Sequence, residues 1–96
     1  MEEKIGDILK RIFKQAGKES VYYEGILKNR WNDIVGDFLA KGSKPDRISD
    51  GTLYIKCFNS SIKQEIFFLK NRISEKINSY FNKKLVDDIR VFFKWK

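Results

Sequence analysis

The 96-residue sequence contains no histidine, one cysteine and one proline. The absence of histidine excludes catalytic triads and acid–base pairs that depend on imidazole. Zinc sites need several Cys or His ligands, so the lone Cys57 cannot form one, nor can it form an internal disulfide bond. No GxGxxG or Walker-type phosphate-binding loop is present. We therefore expect a non-enzymatic protein without a metal or other cofactor; an enzyme based on carboxylates or lysines is the alternative.

Long hydrophobic runs are also missing, since no apolar segment approaches the roughly 20 residues of a membrane-spanning helix. The N-terminal sequence MEEK begins with acidic residues, whereas a secretory signal peptide begins with a basic segment. These features predict a cytosolic, and thus cytoplasmic, protein. A length of 96 residues with 42% hydrophobic residues suffices for one compact domain over 1–96 and is too short for two.

Positive charge is abundant and unevenly distributed along the chain. The net charge is +7 and the isoelectric point about 9.6. Residues 1–50 hold ten basic and nine acidic residues, whereas residues 51–96 hold ten basic and four acidic residues. An excess of positive charge in one half favours a polyanionic partner, most often nucleic acid. The alternative is that the charge serves solubility alone.

Hydrophobic periodicity predicts two helices in the first 40 residues. Residues 3–16 place one apolar stripe at Ile5, Ile8, Leu9, Ile12 and Phe13. From Ser20 to about residue 40 a second stripe comprises Leu27, Trp31, Ile34, Val35 and Phe38. Gly25 is expected to kink or break this helix, and Gly36 to admit a closely packed backbone. Gly42 and Pro45 are expected to end the helix.

The remaining sequence predicts two strands, a long helix and a third strand. Asp50-Gly51 is a hairpin signal between residues 46–49 and an alternating strand over 52–58. The long helix begins at Ser60 or Ser61, and its apolar stripe comprises Ile62, Ile66, Leu69, Ile73, Ile77 and Tyr80. Its water-facing side is predicted to carry Gln64, Asn71, Asn78 and Asn82. The order α-α-β-β-α-β predicts an α+β two-layer domain with helices on one face of a three-stranded sheet.

The open face of this sheet is the candidate nucleic-acid-binding site. The alternation assigns to the face that the helices cover Leu53, Ile55, Cys57, Ile89, Val91 and Phe93. The open face then presents Tyr54, Lys56, Phe58, Arg90, Phe92 and Lys94. Aromatic rings stack on bases and basic side chains contact phosphates. Lys63 and Lys70, which border the apolar stripe of the long helix, complete the predicted set. Three alternatives remain: cross-strand pairing alone, coverage by Phe67, Phe68 or a second subunit, and lysines that only cover apolar surface.

An ordered set of residues runs from the second helix to the strand after the hairpin: Trp31, Val35, Gly36, Leu39, Ala40, Pro45, Gly51, Thr52 and Leu53. In order and spacing this set resembles the signature of the DciA-type family of bacterial proteins. The segments SSIKQEI, INSYFN and VDDIRV resemble later parts of the family pattern, although the family often has Trp at the position of Ile62. The resemblance covers roughly residues 25–92.

This resemblance implies a KH-like domain that acts in DNA replication without an ATPase domain of its own. Its implied partners are the DnaB-type replicative helicase and single-stranded DNA, onto which the helicase is loaded. Many family members add a basic, disordered tail or arm to the domain. The glycines here lack the GXXG spacing by which typical KH domains clamp a nucleic-acid backbone. The alternatives are a KH-like RNA-binding module and a protein-interaction domain whose positive charge is incidental.

Overall fold

The computed structural model describes residues 4–93. Its helices and strands are, in order, α1 (Ile5–Gln15), α2 (Glu19–Val35), α3 (Asp37–Gly42), β1 (Ser43–Ser49), β2 (Thr52–Cys57), α4 (Ser60–Phe68), α5 (Lys70–Phe81) and β3 (Asp88–Phe93). The predicted α+β class and the order of helices and strands are confirmed, although two predicted helices are each divided in two. Within residues 4–93, no helix has the length and apolar content needed to cross a membrane.

The sheet is mixed, with β2 between the two other strands. β1 and β2 pair antiparallel, and β2 and β3 pair parallel. Asp50 and Gly51 form the hairpin turn with φ angles of 49° and 78°, the left-handed conformation that a two-residue type I′ turn requires. A parallel neighbour needs a long crossover connection, and α4 and α5 provide it.

The core lies between the sheet and the helices, as the alternation in the sequence predicts. The inward residues Leu53, Ile55 and Cys57 of β2 are fully buried, and Ile89 of β3 is 1% exposed. The helices contribute Tyr23, Leu27, Trp31, Ile34, Leu39, Ile62, Ile66, Ile73 and Ile77. The indole of Trp31 is satisfied inside this core, because its Nε1 donates to Ser43 Oγ at 3.1 Å and that hydroxyl donates to the Leu39 carbonyl at 2.6 Å.

The break in the second helix lies at Gly36 and not at Gly25. α2 continues through Gly25, because other helix residues supply enough burial to offset the cost of one glycine. Gly36 has φ +89° and ψ 164°, a conformation nearly confined to glycine. No atom lies within 4 Å of where its Cβ would be, so the predicted close backbone packing is wrong. Backbone conformation explains this glycine.

β1 begins earlier than predicted, directly after α3. The helix does end at Gly42, but Pro45 lies within β1 and pairs with Ile55. An edge strand tolerates proline, and the register shift between Pro45 and Arg47 absorbs the irregularity. Gly42 has no left-handed φ; a Cβ there would collide with the Ile62 side chain. It therefore permits close approach of α4.

The long helix is interrupted at Leu69, which separates α4 from α5. Two predictions about its faces are wrong. Tyr80, assigned to the buried stripe, is exposed. Asn78, assigned to water, is half-buried: its Oδ1 accepts from the Leu85 and Val86 N–H groups at 2.9 and 2.8 Å, and its Nδ2 donates to the Val86 carbonyl. The segment after α5 therefore folds back over this side of the helix.

Helix α1 has the predicted amphipathic pattern but contains no buried residue. Its stripe remains largely exposed at Ile5 (76%), Leu9 (45%) and Ile12 (52%). It packs on α2 through Phe13, whose ring centroid lies 6.0 Å from that of Tyr22. The Tyr22 hydroxyl also donates to the Gly6 carbonyl at 3.3 Å. α1 is therefore attached through Phe13, and within residues 4–93 the other side of its stripe, at Ile5, Leu9 and Ile12, is left exposed.

Candidate nucleic-acid interface

The sheet face opposite the helices carries basic and aromatic residues in two rows. The register aligns Lys44, Lys56 and Phe92 across the strands, and it aligns Arg47, Tyr54 and Arg90 in the next row. Register partners share a face, because side chains alternate along each strand. All six side chains are exposed or half-buried. We call these six residues the open face.

One cation of the open face already lies over one of its rings. The Arg47 guanidinium carbon is 4.3 Å from the centroid of the Tyr54 ring. Arg47 Nη1 also lies 3.2 Å from Asp46 Oδ2. A guanidinium plane is itself a stacking surface for bases. This pair therefore presents Arg47 above Tyr54, the ring that the sequence predicted as a stacking surface.

A groove of about 790 Å³ runs along the outer edge of β3, which pairs with β2 only on its other side. We call it the β3 groove. Its lining residues are Ser60, Lys63, Gln64, Phe67, Phe68, Lys70, Asp88, Ile89, Arg90, Val91 and Phe93. Phe67 and Phe68 project from α4 with 64% and 72% of their surfaces exposed. The alternative in which either ring covers the open face is not supported, because both rings line the β3 groove.

The lysines of the β3 groove lie over aromatic rings. Lys63 Nζ is 4.6 Å from the Phe93 centroid, and Lys70 Nζ is 5.4 Å from the Phe67 centroid. Cation–π contacts of this kind hold an ammonium group over a ring while leaving it accessible to solvent. The groove thus brings cations and exposed rings together, which is the combination that single-stranded nucleic acid requires.

Asp88 is the acidic residue within this basic surface. Its carboxylate lies 3.5 Å from Lys70 Nζ and 3.9 Å from Arg90 Nε. A hydrogen bond from the Ile89 backbone N–H lowers the pKa of Asp88, and the neighbouring Lys70 and Arg90 charges lower it further. Asp88 therefore stays ionised near neutral pH and partly neutralises both cations. A phosphate at this end of the groove must compete with it.

The residues predicted as one site belong to two adjoining surfaces. Four of them, Tyr54, Lys56, Arg90 and Phe92, lie together on the open face, and Phe58 is exposed just beyond β2. Lys63 and Lys70 lie in the β3 groove, on the helical side of β3. Arg90 lines both surfaces and joins them. Lys94 lies outside the described residues.

The sequence-based site missed Lys44, Arg47 and Phe93, and it included Phe67 and Phe68 only as a cover for the open face. Lys44 belongs to the open face because β1 starts at Ser43, before the proline that was taken to precede the strand. Arg47 lies within the predicted strand and belongs to the open face because its register partner is Tyr54. Phe93 was assigned to the buried face, yet it is exposed because no element covers β3 beyond α4 in the described chain. The alternation after Asp46 could have identified Arg47; nothing local in the sequence indicates the exposure of Phe93.

Other chemistry has little support in residues 4–93. No group of three or more His, Cys, Asp or Glu residues is arranged to hold a metal ion in that range. Cys57 is fully buried on the inner face of β2, and burial raises the pKa of its thiol. A buried thiol of raised pKa is a poor nucleophile, so Cys57 acts as a small core residue.

Comparison with known proteins assigns the chain to a family. A UPF0232 protein of Rhodococcus jostii (strain RHA1) is 24% identical over 86 residues. The alignment covers 90% of this chain and 46% of the relative, so the chain spans about half the length of that protein. The family model described as "Dna[CI] antecedent, DciA" matches residues 4–91, which include every element from α1 to most of β3. The chain therefore belongs to the DciA family.

Proposed function

We propose that this chain is a non-enzymatic DNA-replication adaptor, which binds a DnaB-type replicative helicase and single-stranded DNA and so assists helicase loading. The DciA family is associated with loading of that helicase, and membership of the family supports the helicase partner. The observation that carries the DNA partner is the continuous basic and aromatic surface formed by the open face and the β3 groove. Arg90 belongs to both parts of that surface.

Charge supports a phosphate backbone as the ligand of this surface. Among residues 4–93, no carboxylate lies within ion-pairing distance of Lys44, Lys56 or Lys63. Unpaired cations gain most from an anionic ligand, because binding releases the counterions of the nucleic acid. The rings of Phe67, Phe68 and Phe92 provide stacking surfaces beside these cations, so bases and phosphates can be contacted together.

The uncovered stripe of α1 is the surface we assign to the helicase. Ile5, Leu9 and Ile12 form an exposed apolar line on a helix that packs on α2. A helix of this kind binds a protein partner by laying its apolar stripe into a groove. The β3 groove is lined by α4, α5 and β3, so α1 contributes nothing to it. Helicase and DNA can therefore be held at the same time.

Charge reversal on the open face tests the DNA partner. In the variant Lys56→Glu with Arg90→Glu, we expect affinity for a fluorescent oligo-dT to fall at least about tenfold and the salt dependence to weaken. Lys14→Glu with Lys18→Glu carries the same charge change on and after α1 and serves as the control. Fluorescence anisotropy over a salt series measures both. Unchanged affinity with an intact fold would contradict the assignment of the open face.

A second pair of variants tests the aromatic part of the β3 groove. Phe67→Ala is expected to weaken binding about 5- to 150-fold, because loss of one stacked base costs about 1–3 kcal/mol. Phe38 of α3 is the matched control, since it is 66% exposed against 64% for Phe67 but lies outside the groove. Equal affinities of Phe67→Ala and Phe38→Ala would remove the groove from the proposed interface.

The helicase partner is tested with purified components. The wild-type protein is expected to retain the DnaB-type helicase of its own organism in a pull-down, and Ile5→Ser with Ile12→Ser to lose it. Val21→Ser, an exposed apolar position on α2, is the control. Both variants should still bind single-stranded DNA. Tight RNA binding without helicase retention would instead favour the RNA-binding alternative.

A further inference from the structure

A second concave site lies at the opposite edge of the sheet, between α2 and β1. It has a volume of about 480 Å³, and its lining residues are Lys28, Asn29, Trp31, Asn32, Ala40, Ser43, Lys44, Pro45 and Lys56. We call it the β1 pocket. It shares Lys44 and Lys56 with the open face, so the open face connects it with the β3 groove.

The charges around the β1 pocket are all positive. Three separate elements contribute a lysine to it: Lys28 from α2, Lys44 from β1 and Lys56 from β2. No acidic residue lines it, and none of the three lysines has an ion-pair partner within residues 4–93. The β3 groove differs in this respect, because Asp88 partly neutralises its cations.

The arrangement of these lysines is unfavourable for the isolated domain. Lys44 and Lys56 are register partners on one face, where like charges placed directly opposite each other destabilise a strand pair. Lys28 adds a third cation from the neighbouring helix. An anion held between them would convert this repulsion into attraction. The amide side chains of Asn29 and Asn32, both at the same pocket, offer hydrogen bonds to its oxygen atoms.

We propose that the β1 pocket binds a backbone phosphate of the single-stranded nucleic acid, as a subsite separate from the β3 groove. This inference rests on the proposed function. The row of Lys44, Lys56 and Phe92 crosses all three strands, about 10 Å at the usual strand spacing, and leads from the pocket towards β3. A strand following this row places its bases near Phe92 and a phosphate among Lys28, Lys44 and Lys56. A nucleic-acid phosphate is favoured over free phosphate because of this continuity.

The test compares a short and a long oligo-dT, of about 5 and about 14 nucleotides, within the range of site sizes of single-strand-binding folds. The short strand occupies the β3 groove alone, and the long one also reaches the β1 pocket. Lys28→Gln with Lys44→Gln is expected to weaken long-strand binding about fivefold or more. The slope of log affinity against log salt should fall by about 0.7–1.4, the value for one or two phosphate contacts. Short-strand binding should weaken much less than long-strand binding, because of these two lysines only Lys44 belongs to the open face.

The matched control is Lys14→Gln with Lys18→Gln, which removes the same charge from exposed lysines outside the pocket. Lys28 and Lys44 are exposed as well, so both double variants should fold, as ¹H–¹⁵N spectra would verify. In the wild type, the side-chain amide signals of Asn29 and Asn32 should shift with the long strand and not with the short one. Inorganic phosphate at about 10 mM, a common buffer concentration, should shift these amide signals little.

Each contrary result has a distinct meaning. Equal long-strand affinities and salt slopes for the pocket variant and the control would overturn the subsite and leave the proposed DNA binding standing. Amide shifts at Asn29 and Asn32 that are as large with inorganic phosphate as with the long strand would identify free phosphate as the ligand and overturn it too. Failure of the wild-type protein to bind either strand at low salt would overturn the proposed function itself.

Discussion

The two edges of the sheet differ in how the chain protects them. At the β1 edge, α2 packs against the strand, Pro45 has no N–H to offer, and the Ile48 N–H donates to Glu24 Oε2 of α2 at 2.9 Å. At the β3 edge, one side of the strand pairs with β2 and the other borders the β3 groove. An unprotected edge invites pairing with another chain, and natural proteins usually block it.

We attribute this difference to ligand binding, for which the β3 edge is proposed to stay accessible. Lys63, Lys70 and Arg90 surround it, and charged residues of this kind discourage pairing with a second strand. The same cations favour an anionic ligand, and the exposed rings of Phe67 and Phe68 add stacking surfaces. The β1 edge contributes to stability, whereas the β3 edge is proposed to contribute to recognition.

The largest expected difference between the two edges is the loss of stability when one apolar side chain of each edge strand is truncated. Ile48 of β1 is buried and Val91 of β3 is half-buried. Ile48→Ala should lower the free energy of unfolding by about 2–4 kcal/mol, because it leaves a cavity in a packed site. Val91→Ala should cost about 1 kcal/mol. Urea denaturation of both variants measures the difference, and equal losses would show that the edges are equally well packed.

A smaller loss of stability is expected when the hydrogen bond between the Ile48 N–H of β1 and the Glu24 carboxylate of α2 is removed. Glu24→Ala leaves the Ile48 N–H without its acceptor, which should cost about 1–2 kcal/mol of unfolding free energy. Amide hydrogen exchange at Ile48 should accelerate more than exchange at Leu53 in the central strand. Glu65→Ala on the exposed side of α4 is the control. Unchanged exchange at Ile48 would mean that packing of α2 alone protects this edge.

Local patterns were enough to predict most of the fold. Asp50-Gly51 specifies its turn through residues that tolerate positive φ, and the alternation around Ile55 specifies the inner face. Pro45 was misjudged because its usual effect, ending a helix, is local, whereas its tolerance in β1 depends on that strand being at an edge. Whether a strand lies at the edge depends on the assembled sheet, and the residues next to Pro45 in the sequence do not indicate it.

The candidate site was predictable only in its residue types. Basic and aromatic residues around β2 and β3 were identified, but Lys63 and Lys70 were grouped with an open face from which β3 separates them. The interruption at Leu69 and the position of α4 beside β3 determine that separation, and both arise from tertiary packing. The neutralising role of Asp88 likewise depends on Lys70, which lies 18 positions earlier in the chain.

Removing the Asp88 charge should give the smallest of these effects and the only gain. Asp88→Asn frees Lys70 and Arg90 from a carboxylate, so affinity for single-stranded DNA should rise about two- to fivefold, with a steeper salt dependence. Asp87→Asn is the matched control: it makes the same charge change, but Asp87 pairs with Lys84 outside the groove.

The lowered pKa of Asp88 adds a pH dependence to this comparison. The Asp88 carboxylate remains ionised until the pH falls below the ordinary pKa of an aspartate. The DNA affinities of wild type and Asp88→Asn should therefore differ at neutral and mildly acidic pH and converge only when Asp88 is protonated. Because the folded-state pKa is depressed, the Asp88 contribution to stability is present above the unfolded-state pKa and lost as pH falls through the folded-state value. Anisotropy titrations from pH 5 to 8 lie above the ordinary Asp pKa of about 3.9 and should therefore show a constant difference between the two proteins. If Asp87→Asn gained as much affinity as Asp88→Asn, net charge alone would explain the gain. That result would contradict the proposal that the β3 edge binds the nucleic acid.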